Sequence, residues 1–305
     1  MTEILAEELG RDWLAAHPLP TLAAGTDKNS RGRVLVAGGG RFVPGALRLT
    51  GEAALRAGAG KLQLATVADV AMHLGVLVPE AAMIALPADD DGEIGVEAVA
   101  VIADALAGAD VLVLGPGMSS NDAAAALVAT LLAVPRDGLS IVLDAAAIGA
   151  CSDLTALLQR HDGRVVMTPH HGEMASLTSR DVDAIAADDF GVARDAAARY
   201  GAVIALKADT TVIAAPDGRT LRYAGGGVGL ATGGSGDVLA GVAGGLIARG
   251  ADPLTAAAWA VWLHGEAGRW MADTIGPLGF LARELLLPIP RLMAGIREET
   301  PIGFG

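Results

Sequence analysis

The sequence predicts an α/β protein with a mostly parallel central sheet, and three observations carry that prediction. Short apolar runs alternate with helical segments from Arg33 to Leu206, without a linker or a break in composition. Parallel strands joined by crossover helices read in this way. Residues able to do chemistry gather just after those runs: Gly38 to Gly40, Gly115 to Gly117, Asp144, Thr168 to His170, and Lys207. In open α/β sheets ligands bind at that edge. Apolar residues make up 52% of the 305 residues and aromatics only 3%, which favours close-packed helices on a sheet over an aromatic-rich β fold.

Taken in order, residues 2–16 read as an amphipathic helix, with Ile4, Leu5, Leu9 and Trp13 near helical spacing. Strands are expected at 33–37, 62–66, 81–86, 111–114, 141–143, 165–167 and 203–206. Helices are expected at 44–57, 96–107, 122–134 and 188–200, the last closed by Gly201 as a C-cap. Pro216-Asp217-Gly218 joins runs 211–215 and 220–223 as a hairpin. The C-terminal part reads as helices at 238–249, 253–271 and 279–286, followed by a loose tail at 297–305. Trp259 and Trp262 lie at helical spacing among alanines and are read as core. No repeat is visible, so residues 1–305 are read as one domain.

The formal net charge of −13 argues against nucleic-acid binding, which wants a basic face. The single cysteine, Cys151, allows neither an internal disulfide nor a cysteine metal site and fits a reducing compartment. The acidic N-terminus lacks signal-peptide character, and the longest apolar run, 123–135, is too short to span a bilayer. A soluble cytoplasmic protein is expected.

The stretch from Gly225 to Gly241, GGGVGLATGGSGDVLAG, carries eight glycines in seventeen residues and feeds an apolar helix. A glycine-rich loop at a helix N-terminus offers free amides and the positive end of a helix dipole to an anion, usually phosphate. Thr232-Gly233-Gly234-Ser235-Gly236-Asp237 is neither a Walker A sequence nor a dinucleotide fingerprint. The plainer alternative is a flexible turn capped by Asp237. Beside an anion hole, Asp237 could instead orient an acceptor hydroxyl and take its proton. A helix N-terminus lowers a carboxylate's pKa, so Asp237 is expected to be a weak base. Such a base suits phosphoryl transfer with late deprotonation. Gly38-Gly39-Gly40 is the other glycine turn, but Arg41-Phe42-Val43-Pro44-Gly45 breaks the dinucleotide pattern. After the strand at 165–167, His170 or Glu173 could face a ligand or simply begin a solvated helix. Lys207 either reaches a phosphate or snorkels at the sheet edge.

In order along the chain stand GRVLVAGG from Gly32, Pro44-Gly45-Ala46, ALRAGAG from Ala54, Leu114-Gly115-Pro116-Gly117, Thr168-Pro169-His170 with Gly172-Glu173, Leu206-Lys207, ATGGSGDVLAG from Ala231, and His264-Gly265 with Ala267-Gly268. This ordered set, over about residues 28–290, resembles the NAD(P)H-hydrate dehydratase family of the ribokinase-like superfamily. The resemblance implies a three-layer αβα fold. It also implies repair of hydrated NADH or NADPH (NADHX, NADPHX), with ADP or ATP as phosphoryl donor and Mg²⁺ as cofactor. The ring hydroxyl is phosphorylated and phosphate is then eliminated. Carried onto this sequence, Asp237 is the catalytic carboxylate, and Ala46, Gly117, His170 and Asp237 line the substrate. Lys207, Ala208, Asp209, Thr210 and Thr211 contact the donor nucleotide, and Thr232, Gly233, Gly234, Ser235 and Gly236 hold phosphate. The resemblance assigns no metal ligands. It further implies a homo-oligomer and a separate epimerase in the same pathway. Leu143-Asp144-Ala145-Ala146 departs from a family segment with two acidic residues, and Gly40 and Ala208 also depart from the pattern. Two alternatives stay open: a small-molecule kinase of the hydroxyethylthiazole-kinase type, and a non-catalytic nucleotide-binding relative.

Overall fold

The computed structural model describes residues 6–21, 25 and 27–295. Ten strands form one sheet: β1 (Glu7–Glu8), β2 (Arg33–Ala37), β3 (Lys61–Val67), β4 (Ala81–Leu86), β5 (Val111–Leu114), β6 (Ser140–Leu143), β7 (Val165–Met167), β8 (Val203–Leu206), β9 (Thr211–Ala214) and β10 (Thr220–Tyr223). Their spatial order is β1-β10-β9-β8-β7-β6-β5-β2-β3-β4. Every pairing is parallel except those of β9 with β8 and with β10. Strands β5 to β8 are buried at every position, which is why they read as unbroken apolar runs. The chain leaves β2 for β3 and β4, then returns to β5 on the other side of β2. That reversal opens a crevice at the strand C-termini, where the Gly38 and Gly115 turns lie.

The helices are α1 (Arg11–Ala16), α2 (Gly45–Arg56), α3 (Ala68–Leu77), α4 (Ala98–Leu106), α5 (Asp122–Leu132), α6 (Ala146–Gly149), α7 (Thr155–Gln159), α8 (His171–Thr178), α9 (Val182–Ala187), α10 (Asp189–Tyr200), α11 (Ser235–Ala248), α12 (Pro253–Thr274) and α13 (Ile289–Gly295). The hairpin of β9 and β10 forms as expected, and Gly201 closes α10 in the left-handed conformation. Trp259 and Trp262 are both core residues, edge to face at 6.5 Å.

Two expectations change. Within the described residues the N-terminal segment is not one helix. Glu7–Glu8 adds a short strand beside β10, and helix begins only at Arg11. Residues 2–5 of that expected helix, and the expected tail at 297–305, lie outside the described residues. The expected helix at 279–286 is a 3₁₀ segment restricted to Ala282–Leu286.

Helix α11 is the element that positions the site. It is buried from Val238 to Ile247 against α2, α12 and the sheet. A Cβ on Gly241 would overlap the Thr50 carbonyl oxygen, one on Gly245 the Ala54 carbonyl oxygen, and one on Gly244 would stand 2.6 Å from Val113 Cγ2. Glycine therefore lets backbone meet backbone at 241 and 245 and lets the helix close on the Val113 side chain at 244, which sets its depth against α2 and β5.

Candidate active site

A cavity of about 780 Å³ opens at the C-terminal ends of β6 to β8 and the N-terminal end of the antiparallel β9, between α8 and the start of α11. The expected anion loop forms its rim. Gly234 is the N-cap of α11 at φ +90°, a conformation that favours glycine. No side chain caps this helix. Asp237 is its third residue rather than its cap, which removes the plain capping reading. The Ser235 amide donates to the Thr232 carbonyl at 3.2 Å and the Val238 amide to the Gly234 carbonyl at 3.2 Å. The first-turn amides of Gly236 and Asp237 are those a bound anion would meet.

Beneath the loop lies a compact charged cluster. Lys207, just past β8, places Nζ 3.3 Å from Asp144 Oδ1 and 3.6 Å from Glu173 Oε2. A Cβ on Gly236 would stand 3.3 Å from the same Nζ, so the ammonium sits directly under the loop. Burial would lower the lysine's pKa, but the charges of Asp144, Glu173 and Asp237 outweigh it and hold the pKa above its ordinary value. Asp144 follows β6 and is almost wholly buried; its Oδ1 accepts a 2.7 Å hydrogen bond from Thr168 Oγ1.

Asp237 departs from expectation. Its pKa is raised to about 7, by burial first and then by the negative charge of Asp144, with Lys207 opposing. The expected lowering by the helix N-terminus is overcome, because desolvation and a like charge act directly on the carboxylate. A carboxylate with this proton affinity is a competent general base near neutral pH.

On the far wall, His170 is the N-cap of α8. Its Nδ1 accepts from the amides of Gly172 (3.0 Å) and Glu173 (3.2 Å), and Glu173 Oε2 accepts from the His170 amide (2.8 Å). This reciprocal box fixes Glu173 beside Lys207. Ser235 Oγ meets His264 Nε2 of α12 at 2.8 Å.

The structure brings most of the expected residues to one cavity. His170, Lys207, Ala208, Asp209 and Thr211 line it, as do Thr232, Gly234, Ser235, Gly236 and Asp237. Thr210 and Gly233 belong to the same loops but are not among its lining residues. Ala46 and Gly117 are not on this wall either. They pack against each other at the β2–β5 crevice, where a Cβ on Gly117 would stand 2.9 Å from that of Ala46. A second cleft of about 520 Å³ shares Ala145, His170 and Glu173 with the main cavity and adds Ala146. Ala145, between the two, holds φ 50° and ψ −129°, a backbone conformation that costs a residue with a side chain energy.

Sequence reasoning missed Thr168 as a partner of Asp144, and it quoted His264 only as part of the resemblance, with no role at the loop. The first pair was accessible in principle. Leu143 pairs with Met167 in the β6–β7 register, so Asp144 and Thr168 are the next facing pair. His264 lies on a helix 29 positions from Ser235, so its pairing with that serine carries no local signal.

Among the described residues no three of His, Cys, Asp and Glu converge to hold a metal ion by themselves. Magnesium in phosphoryl-transfer sites is carried mainly by nucleotide phosphates and water, with one or two carboxylates. Asp144 and Glu173 face the region under the loop, and the donor set fits an ion of that kind.

Comparison with known proteins places the chain in a family. Residues 34–291 match the model of a family described as NAD(P)H-hydrate dehydratase. The chain is 45% identical to an ADP-dependent (S)-NAD(P)H-hydrate dehydratase of Xanthomonas campestris pv. campestris, over 95% of this chain and 96% of that one. It is 38% identical to a bifunctional NAD(P)H-hydrate repair enzyme Nnr of Moorella thermoacetica, over 92% of this chain but only 53% of the larger protein. Among solved structures, an ADP/ATP-dependent NAD(P)H-hydrate dehydratase from Bacillus subtilis, co-crystallised with ATP and Mg²⁺, superposes with a TM-score of 0.81 at 28% identity, covering 96% of this chain and 99% of that one. The fold is the ribokinase-like αβα arrangement.

Proposed function

Because this chain belongs to the NAD(P)H-hydrate dehydratase family, we propose that it restores NADH and NADPH from their hydrates at the expense of ADP or ATP. The observation that carries the proposal is the Asp237 carboxylate. It stands at the mouth of an uncapped glycine loop, next to Lys207 and Asp144, with a proton affinity suited to deprotonating a hydroxyl near pH 7. The name of the Xanthomonas relative supports the (S)-hydrate as substrate and ADP as donor.

In the proposed reaction the hydroxyl of the hydrated nicotinamide ring attacks the terminal phosphorus of the donor. Asp237 accepts the hydroxyl proton. Amides of Gly236 and Asp237 receive the phosphoryl oxygens, and Lys207 balances their charge from below. AMP or ADP leaves. The ring nitrogen lone pair then expels phosphate, and loss of a proton from the neighbouring ring carbon restores the double bond. His170 faces the substrate across the cavity, while Ala46 and Gly117 border the crevice beyond it. Lys207 to Thr211 form the donor side. Asp144 and Glu173 would hold Mg²⁺ brought in on the donor phosphates. When bound, the ion supplies further neutralisation of those phosphates.

We read residues 1–305 as a single dehydratase unit working in the cytoplasm with a separate epimerase. No helix among the described residues is long and apolar enough to cross a membrane. The chain spans about half the length of the bifunctional repair enzymes it matches, and their names support a second repair activity in the same pathway. Met72 and Val76 of α3 stand exposed beside the edge strand β4, which supports self-association.

The deciding experiment incubates the protein with hydrated NADH, Mg²⁺ and ADP or ATP. The expected result is recovery of the NADH absorbance band with release of inorganic phosphate. A stable phosphorylated product without recovered NADH would make the protein a small-molecule kinase. Nucleotide binding with no turnover of either hydrate epimer would make it a non-catalytic relative.

A further inference from the structure

A serine hydroxyl at the start of an anion-binding loop serves an anion only when its hydrogen faces the ligand. Ser235 is the first residue of α11 and is only 5% exposed. Its amide is already given to the Thr232 carbonyl, so its hydroxyl is the donor it has left. That hydroxyl oxygen lies 2.8 Å from His264 Nε2, and His264 lines the cavity with it. Burial, aided by the Lys207 charge, pushes the imidazole down to about 4. His264 is therefore neutral near pH 7, with one nitrogen donating and the other accepting. If Nε2 accepts, Ser235 spends its hydrogen on the imidazole and turns only lone pairs to the loop. If Nε2 carries the hydrogen, the serine oxygen accepts it and the hydroxyl hydrogen is free for the loop. An oxygen that accepts one hydrogen bond is also a stronger donor in the next.

We infer that His264 is a positioning residue: as the Nε2–H tautomer it donates to Ser235 Oγ and thereby turns the Ser235 hydroxyl hydrogen onto the transferring phosphoryl group. The inference rests on the phosphoryl-transfer reading of this loop. It adds a donor to the loop amides without adding charge.

Two measurements test it together. The first is a cycle of variants assayed for NADH recovery. Ser235→Ala and His264→Leu should each lower kcat on the order of a hundredfold, the scale for losing one preorganised donor, while KM for the hydrate changes little. The double variant should be no worse than either single one, because both remove one interaction. His264→Gln, whose amide nitrogen can stand in for Nε2, should recover most of the loss. Independent losses that multiply, or a glutamine variant as impaired as the leucine one, would overturn the inference. The second is ¹⁵N NMR of histidine-labelled wild-type protein saturated with ADP, which needs neither turnover nor a stable variant. The expected spectrum shows Nε2–H at His264, and an Nδ1–H tautomer would overturn the inference. A protein that binds ADP with His264 as Nε2–H yet turns over no hydrate would sink the dehydratase reading and leave the positioning pair intact.

Discussion

Thr168 Oγ1 donates to Asp144 Oδ1 at 2.7 Å, and neither residue is more than 3% exposed. Asp144 Oδ1 thereby accepts from a neutral donor and from Lys207 Nζ together. Its charge bears in turn on Asp237. The bond links the ends of two neighbouring strands to the reacting carboxylate.

Replacing Thr168 by valine keeps the shape of the side chain and removes the donor. A buried carboxylate that loses a hydrogen bond costs about 1–3 kcal/mol. The expected outcome is a stability loss in that range, read by urea denaturation, with a fall in kcat of about tenfold or more. Thr168→Ser should restore both. A valine variant with wild-type turnover and stability would show that Lys207 alone holds Asp144.

Activity should follow the ionisation of Asp237. The carboxylate must be unprotonated to accept a proton, and its pKa is raised to about 7. kcat/KM should therefore rise with pH through about 7 and fall away below it. Asp237→Asn should abolish turnover while ADP binding persists. Removing the opposing charge with Lys207→Met should raise the Asp237 pKa further, which ¹³C NMR of the carboxyl group would read without turnover. A flat activity profile between pH 5.5 and 8 would remove Asp237 from the role of base.

Acid should destabilise the fold through His161, which is wholly buried. Its Nε2 lies 3.1 Å from the Leu132 carbonyl oxygen, and its Nδ1 has no hydrogen-bond partner among the described residues. Burial lowers its pKa from 6.5, aided by Arg164 and Arg160 and opposed by the Leu132 bond and Asp162. The unfolded chain therefore takes up a proton at a higher pH than the folded one. Stability from this group is complete above pH 6.5 and is lost as pH falls from there toward the folded value. His264 acts in the same direction, between 6.5 and about 4. Denaturation midpoints at pH 7.5 and 5.5 should differ less for His161→Gln than for the wild type. An equal difference would assign the acid sensitivity elsewhere.

Ala145 holds its left-handed conformation with a side chain present. Such residues cost about 1–3 kcal/mol, and glycine in their place loses about 0.5–1 kcal/mol of unfolded-state entropy. Ala145→Gly should therefore stabilise the protein by about 1 kcal/mol, measured by thermal or urea unfolding. A destabilised variant would mean that the Ala145 methyl group, not the backbone, sets the geometry between the two clefts.

The sheet was legible because its central strands are buried on both faces and leave unbroken apolar runs between glycine turns. Helix α3 was not legible. β3 runs into it directly at Val67, with no capping side chain to mark the boundary. The two-residue β1 owes its pairing to β10, more than 200 positions away, and has no periodicity of its own. In the site, the glycine loop, Lys207 and Asp237 could be found because each sits next to a local signal. The basicity of Asp237 could not, since it arises from burial and from Asp144, a residue 93 positions earlier. Thr168 and His264 matter only through partners that tertiary structure supplies.

Gly241, Gly244 and Gly245 never face the cavity, yet each touches backbone or a sheet side chain so closely that a methyl group has no room. In a survey of all single substitutions these three positions would look as intolerant as Asp237. Temperature would tell them apart. Damage to the helix seat is a packing defect that cooling or a compensating truncation on α2 can relieve, whereas loss of Asp237 persists at every temperature. The same seat limits how this loop can diverge. Its rim residues can vary with the ligand, but the depth of α11 is inherited with α2, and the two helices must change together.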